Sequence, residues 1–183
     1  MFKLIIFVVL SIGIAYISRA SLHTPRSHGF YRFFAWEFIL ALFLINVDVW
    51  FESPLSWHQL LSWFLLLVCI IPLVFGVRSL TTRGKPGTPR DEEPQLLAFE
   101  KTSVLVTTGI YRYIRHPLYS SLLFLTWGIF FKALTWPGLL LALAATFFLI
   151  ATAQADEKEC VRFFGQAYQD YMGRTKRFVP FLF

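Results

Sequence analysis

Apolar residues run almost unbroken through five stretches of the chain, near residues 2–18, 33–51, 55–77, 118–135 and 137–155, with polar clusters between them. A helix needs about 20 apolar residues to cross a hydrocarbon core, and inside that core every backbone polar group must bond within its own element. The pattern therefore predicts an all-α, polytopic membrane bundle of about five transmembrane helices. Only KALTWPG, residues 132–138, separates the last two stretches. That is room for a tight turn, so these helices form an antiparallel hairpin. Counted at about 1.5 Å per residue, the climb from His116 to the turn matches the descent to Glu157. Arg115 and His116 should then share one depth with Asp156 and Glu157. Beyond the hairpin, Val161, Phe164, Tyr168 and Tyr171 recur at three- and four-residue spacing. This predicts an amphipathic helix lying against the bundle or the headgroups.

The segment TTRGKPGTPRDEEPQ, residues 81–95, is rich in Gly, Pro and charge and reads as an irregular loop. No second core stands on either side of it. The whole of 1–183 reads as a single membrane domain: three amino-terminal spans in 1–77, a loop in 78–117, the hairpin in 118–155 and a tail in 156–183.

Composition agrees, with 56% hydrophobic and 15% charged residues against roughly 45–50% and about 25% in soluble domains. Charge sets the orientation. Of 17 basic residues all but Lys3 and Lys132 fall in the first loop, the third loop or the tail, which an odd number of spans places on one face. Positive charge favours the cytoplasm, so the amino terminus should lie outside and the third loop and carboxyl tail inside. The net charge of +6 then points to anionic lipid headgroups, and nothing suggests nucleic acid. Residues 1–18 also read as a signal peptide, because Lys3 precedes a short apolar region and Ala20-Ser21 follows it. Cleavage would leave four spans and put the basic third loop outside, which the charge bias opposes. Cys69 lies in an apolar run and Cys160 in the tail, so no disulfide is expected.

The shared depth assembles a guanidinium, an imidazole and a phenol at the start of one helix with two carboxylates at the end of its neighbour. Such a set can hold a zwitterion. Arg115 and His116 suit a carboxylate, aided by the positive helix end at Pro117. Glu157 suits an ammonium or ribose hydroxyls. A sulfonium would find an aromatic face in Tyr113 or Tyr119. S-adenosylmethionine carries all of these groups, although the chemistry alone does not single it out.

The run GIYRYIRHPLY (109–119), the acidic pair Asp156-Glu157, FGQAYQDY (164–171) and KRFVP (176–180), in this order, resemble the integral-membrane methyltransferases typified by isoprenylcysteine carboxyl methyltransferase and the phospholipid N-methyltransferases. The resemblance covers about the last 75 to 100 residues. It implies that S-adenosylmethionine is the methyl donor, that Arg115, His116 and Tyr119 bind it, and that Gly109 and Tyr111 shape the loop before them. Glu157 corresponds to the second glutamate of the family's pair, and Asp156 stands in place of the first. The tail would complete the donor site, and Arg177 would lie near the substrate entrance, which makes Glu157 and Arg177 the candidates for catalysis. Arg177 reads equally as a contact to lipid phosphate. Ser120-Ser121 stands where the family commonly has a glycine.

The acceptor implied is lipophilic or small and membrane-accessible: an isoprenylcysteine carboxylate, a phospholipid amine or a thiol. A carboxylate needs no base, whereas an amine or thiol must lose a proton. Glu37 lies in the second span, where acids are costly and often functional, and is a candidate substrate contact; Asp48 reads as an interfacial acid. His58 reads as an interface residue, and His23 and His28 as loop residues without a ligand pattern, so no metal site is predicted. Two other classes compete. An NADPH-dependent membrane reductase of the sterol-reductase type shares an R-H-P-x-Y-like helix start, but Leu118 and Ser120-Ser121 replace its usual Asn and Gly-Asp. A non-catalytic membrane scaffold would not need Arg115, His116, Tyr119 and Glu157 together.

Overall fold

The computed structural model describes residues 1–85, 96–97 and 100–180. Its helices are α1 (Phe2–Ile17), the short α2 (Arg19–Leu22), α3 (His28–Asn46), α4 (Trp57–Val68), α5 (Ile70–Arg83), α6 (Pro117–Phe130), α7 (Trp136–Phe164) and α8 (Gln166–Arg174). The five expected spans correspond to α1, α3, α4 with α5, α6, and α7, in an all-helical membrane bundle. Three are long and apolar enough to cross a membrane: 28–49, 57–83 and 136–164. Helices α1 and α6 are apolar but shorter. The third span is interrupted at Cys69. Pro72 follows and cannot donate to the carbonyl four residues back, which weakens the helix at that turn.

Large apolar side chains point outward along α1 (Leu4, Ile5, Ile12), along α4 and α5 (Phe64, Leu67, Val74) and along α7 (Leu140, Phe147). A bilayer solvates such a surface, and the inward faces add small and polar groups to their apolar packing. Ala142 and Ala145 of α7 meet Ile39 and Leu42 of α3 and Ile129 of α6. Between helices, Asn46 donates to the Ile129 carbonyl at 3.2 Å and Ser62 to the Gly128 carbonyl at 2.7 Å. Such intramembrane bonds contribute on average about 0.6 kcal/mol each. Gly128 permits the approach of α4 to α6: a Cβ there would meet Leu66 at 2.9 Å.

Four expectations need adjusting. Helix α5 continues to Arg83, so the irregular loop begins later than residue 81; residues 86–95, including Arg90, lie outside the described residues. Helix α7 does not stop at residue 155 but runs on to Phe164, because ADEKECVR contains no helix breaker. Asp156 and Glu157 are therefore inside the helix. The chain turns at Gly165, whose φ of +61° is a conformation open to glycine. The predicted tail helix is thus split, with Val161 and Phe164 ending α7 and the buried Tyr168 and Tyr171 on α8. Finally, His28 opens α3 and is buried rather than lying in a loop.

Candidate active site

Pro117 is the first residue of α6, a position where its fixed φ and missing N–H cost nothing. That leaves His116 just outside the helix. The tail then runs alongside in extended form: Arg115 N donates to the Lys176 carbonyl at 2.8 Å, His116 N to the Arg177 carbonyl at 3.1 Å, and Lys176 N to the Tyr113 carbonyl at 3.1 Å. Ser120 Oγ donates to the Phe178 carbonyl at 2.8 Å. Ser120 is thus a clasp between α6 and the tail.

Asp156 and Glu157 come to this helix start from α7, as the hairpin count predicts. The His116 ring lies between them, Nδ1 at 3.4 Å from Asp156 Oδ2 and Nε2 at 3.3 Å from Glu157 Oε1. It stacks on Tyr119 at 5.3 Å, and the Tyr119 hydroxyl donates to Asp156 Oδ2 at 3.3 Å. Burial alone would lower the His116 pKa, but the hydrogen bonds to Asp156 and Glu157 outweigh it and hold the ring above its ordinary value. Below that folded value both nitrogens donate.

Glu157 gathers three cationic groups. Arg115 reaches Oε1 through Nε at 3.0 Å, and Arg177 makes two contacts, Nε to Oε1 at 3.1 Å and a terminal nitrogen to Oε2 at 2.7 Å. Arg115 also donates to the carbonyls of Met172 and Thr175. Arg115 and Glu157, expected at opposite ends of a bound zwitterion, instead meet each other.

A cavity of about 90 Å³ opens beside this network. Arg115, His116, Tyr119, Asp156 and Tyr111 line it; Glu157 is turned instead toward a surface groove with Lys158 and Arg177. Of the two aromatic faces considered for a sulfonium, Tyr119 lines the cavity, whereas Tyr113 is half-exposed elsewhere. Glu37 is not at the cavity. It sits on the α1-facing side of α3, where its Oε2 accepts from Ser11 at 2.5 Å, because a span-embedded acid takes the nearest hydroxyl.

Several lining residues escaped the sequence reading. Tyr168 and Tyr171 belong to the wall, and burial pushes both phenols upward in pKa, keeping them neutral donors. The Tyr171 hydroxyl donates to the Tyr111 carbonyl at 2.7 Å. Cys160 lies one turn after Asp156, with Sγ 3.5 Å from Oδ1, a neighbour that i, i+4 spacing makes legible. Glu100 lines the cavity from the loop after α5. It is held by Arg32 of α3 at 2.6 and 2.7 Å, beside His28, whose Nδ1 lies 2.6 Å from Glu159 of α7. His28 and Arg32 are one turn apart on α3, but no short-range pattern links that pair to Glu100 or Glu159.

Residues 90–173 match the family described as phospholipid methyltransferase. Methanethiol S-methyltransferase 2 of Bradyrhizobium diazoefficiens is 38% identical over 77 residues, 42% of this chain and 29% of that protein. Methanethiol S-methyltransferase of Pseudomonas deceptionensis is 28% identical over 148 residues, 75% of this chain and 52% of that protein. Protein-S-isoprenylcysteine O-methyltransferase of Dictyostelium discoideum is 29% identical over 145 residues, 74% of this chain and 57% of that protein. The chain thus spans about half or less of the length of these relatives. No solved structure matches at comparable significance. The family match covers the arginine-histidine-proline helix start and the acidic pair, and with the relatives it bears out the resemblance carried by those motifs: this chain is related to the integral-membrane methyltransferases of the isoprenylcysteine carboxyl and phospholipid N-methyltransferase kind.

Proposed function

We propose that this protein is an S-adenosylmethionine-dependent methyltransferase of the membrane, acting on a lipophilic or small membrane-accessible acceptor such as an isoprenylcysteine carboxylate, a phospholipid amine or a thiol. The observation that carries the reading is the cavity in which Arg115, His116 and Tyr119 of one hairpin arm face Asp156 of the other. Its polar groups match the donor's: Asp156 suits an ammonium or hydroxyls, the Tyr119 face suits a sulfonium, and a carboxylate would meet Arg115 and His116 by sharing them with the acids and tail carbonyls that hold them. When bound, the donor supplies an electrophilic methyl group on a sulfonium.

The chain's own residues position and desolvate. Glu157, occupied by Arg115, His116 and Arg177, acts as the brace that fixes those cations and is a poor general base in this arrangement. A carboxylate acceptor would need no base. For an amine or thiol acceptor, Asp156 is the acid of the pair that faces the cavity.

Single-domain organisation belongs to the same proposal, with residues 1–77 as spans and the tail closing the donor site. So does sidedness: Lys3 and Asp48, 2.5 Å apart, mark the outer end, and the cavity lies toward the cytoplasm among the basic residues. Calorimetric titration of the detergent-purified protein with S-adenosylhomocysteine, and in parallel with NADPH, tests the reading. Saturable binding of the first alone supports methyl transfer and leads to a screen of carboxylate, amine and thiol acceptors. Binding of NADPH alone replaces it with the reductase. Binding of neither by folded protein favours a scaffold.

A further inference from the structure

Glu100 enters the cavity from outside the hairpin motifs, on the loop that follows α5. Its side chain is 12% exposed, and the cavity accounts for the space beside it. One arginine nitrogen, Nη1 of Arg32, reaches both carboxylate oxygens, Oε1 at 2.6 Å and Oε2 at 2.7 Å. Oε2 also accepts the Leu97 N–H at 2.9 Å and lies 3.8 Å from His28 Nε2. Among the described residues, Oε1 accepts from Arg32 alone. A carboxylate oxygen has two lone-pair directions, so Oε1 has one left.

The support behind Glu100 is rigid. Arg32 is buried on the first turns of α3, with its guanidinium 5.1 Å from the Trp36 ring, and His28 one turn earlier is fixed by Glu159 of α7. Burial alone would push the Glu100 pKa up, but Arg32 and His28 outweigh it and hold the carboxyl below the usual carboxylate value. Glu100 is thus an anionic acceptor fixed in a cavity whose other acid, Asp156, is already shared by His116 and Tyr119.

We infer that Glu100 is a second acid of the donor site, accepting through Oε1 a hydrogen bond from an N–H or O–H group of the nucleoside–amino-acid ligand, with Arg32 as its positioning residue. This rests on the donor reading above. The two sources of such donors are the ammonium of the amino-acid end and the hydroxyls of the ribose. They are separable because 5′-methylthioadenosine keeps the ribose and lacks the amino acid.

The test is calorimetric titration of the full chain with S-adenosylhomocysteine, combined with displacement by 5′-methylthioadenosine, for the parent, Glu100→Gln and Arg32→Ala. An isolated charge-assisted bond predicts at least about a tenfold loss of S-adenosylhomocysteine affinity in Glu100→Gln. Loss confined to that ligand assigns the ammonium, and an equal loss for both ligands assigns the ribose. Arg32→Ala should reproduce the same ligand contrast, and the double variant should add little to either single; a role confined to stability would shift melting without that contrast. Should Glu100→Gln not fold, Glu100→Asp keeps the charge while shortening the reach and is held to the same criterion. Parent-like affinity in the folded Glu100 variant overturns the inference alone. Failure of the parent to bind either ligand overturns the donor reading, and this inference with it.

Discussion

Arg177 of the tail and Glu157 of α7 form a two-point ion pair, Nε to Oε1 at 3.1 Å and a terminal nitrogen to Oε2 at 2.7 Å. The same carboxylate holds Arg115 and His116, so the two partners of this pair are not equivalent. Glu157→Gln would leave three cationic groups facing a neutral amide, and removing one partner of a buried pair costs about 3–5 kcal/mol. Arg177→Ala leaves Glu157 with two cations, and its side chain is 23% exposed, so its cost should be nearer the roughly 1 kcal/mol of a screened pair. Thermal melting in detergent should show Glu157→Gln several degrees below Arg177→Ala. Equal melting of the two would remove Glu157 from its place as the hub.

The raised pKa of the His116 ring gives stability a definite pH slope. Its folded pKa is raised above 6.5 because the bonds to Asp156 and Glu157 outweigh burial. A raised folded value means that the contribution is whole below pH 6.5 and fades as pH climbs through the folded value. Glu100 acts with the opposite sign. Its carboxyl is held below 4.5, so its contribution is present above that pH and fades as pH falls through the lower folded value. The melting difference between parent and His116→Asn should shrink as pH rises from 6.5, and that between parent and Glu100→Gln should shrink on acidification. A parent–His116→Asn difference that does not change on the alkaline side would mean that the ring is neutral.

Asp156 is the acid of the pair that lines the cavity, so the two acids should separate by readout. Asp156→Asn should lower S-adenosylhomocysteine affinity by at least about tenfold, the worth of one charged contact. Its melting should fall less than that of Glu157→Gln. Titration and melting of the same preparations decide it; a Glu157-only loss of binding would reverse the assignment.

Ser120 and the Phe178 carbonyl, 2.8 Å apart, tie the tail to the first turn of α6. Ser120→Ala removes this bond, a loss of about 1 kcal/mol, concentrated on residues 175–178. Limited trypsin digestion should cut faster at Arg174, Lys176 and Arg177 in the variant than in the parent. Unchanged cleavage would mean that the backbone pairing of Arg115 and His116 with the tail suffices.

These contacts show why part of the molecule was legible in its sequence. The spans, the hairpin and the meeting of His116 with Asp156 and Glu157 all follow from one-dimensional lengths, because a bilayer fixes helix length and a short turn fixes partners. The persistence of α7 to Phe164 was hidden because charged residues end a span without ending a helix. Arg32 and Glu100 stand 68 residues apart, and His28 and Glu159 stand 131 apart; the loop after α5 meets α3 in the first pair and α3 packs on α7 in the second, and no periodicity records either. Glu37 depends on a distant partner in the same way. An acid in a span signals that it needs a partner, and here Ser11 of α1 is that partner.

Lys132 shows the same need met at the opposite end of the bundle. It is 1% exposed in the turn between α6 and α7, with Nζ 3.0 Å from Gln59 Oε1, 3.3 Å from the Trp63 ring centroid and 5.0 Å from that of Trp50. Gln59 in turn donates to the carbonyls of Val49 and Lys132, so one lysine joins the end of α3, the start of α4 and the hairpin turn. A desolvated cation over an indole contributes about 2 kcal/mol, partly offset by the cost of burying the charge. Lys132→Met keeps the volume, loses the cation and leaves Gln59 Oε1 without its donor. Melting should fall by an amount corresponding to about 1–3 kcal/mol, while S-adenosylhomocysteine affinity stays within twofold of the parent, about 0.4 kcal/mol. A larger loss of affinity would show that this turn and the cavity, at opposite ends of the α6–α7 hairpin, are energetically coupled.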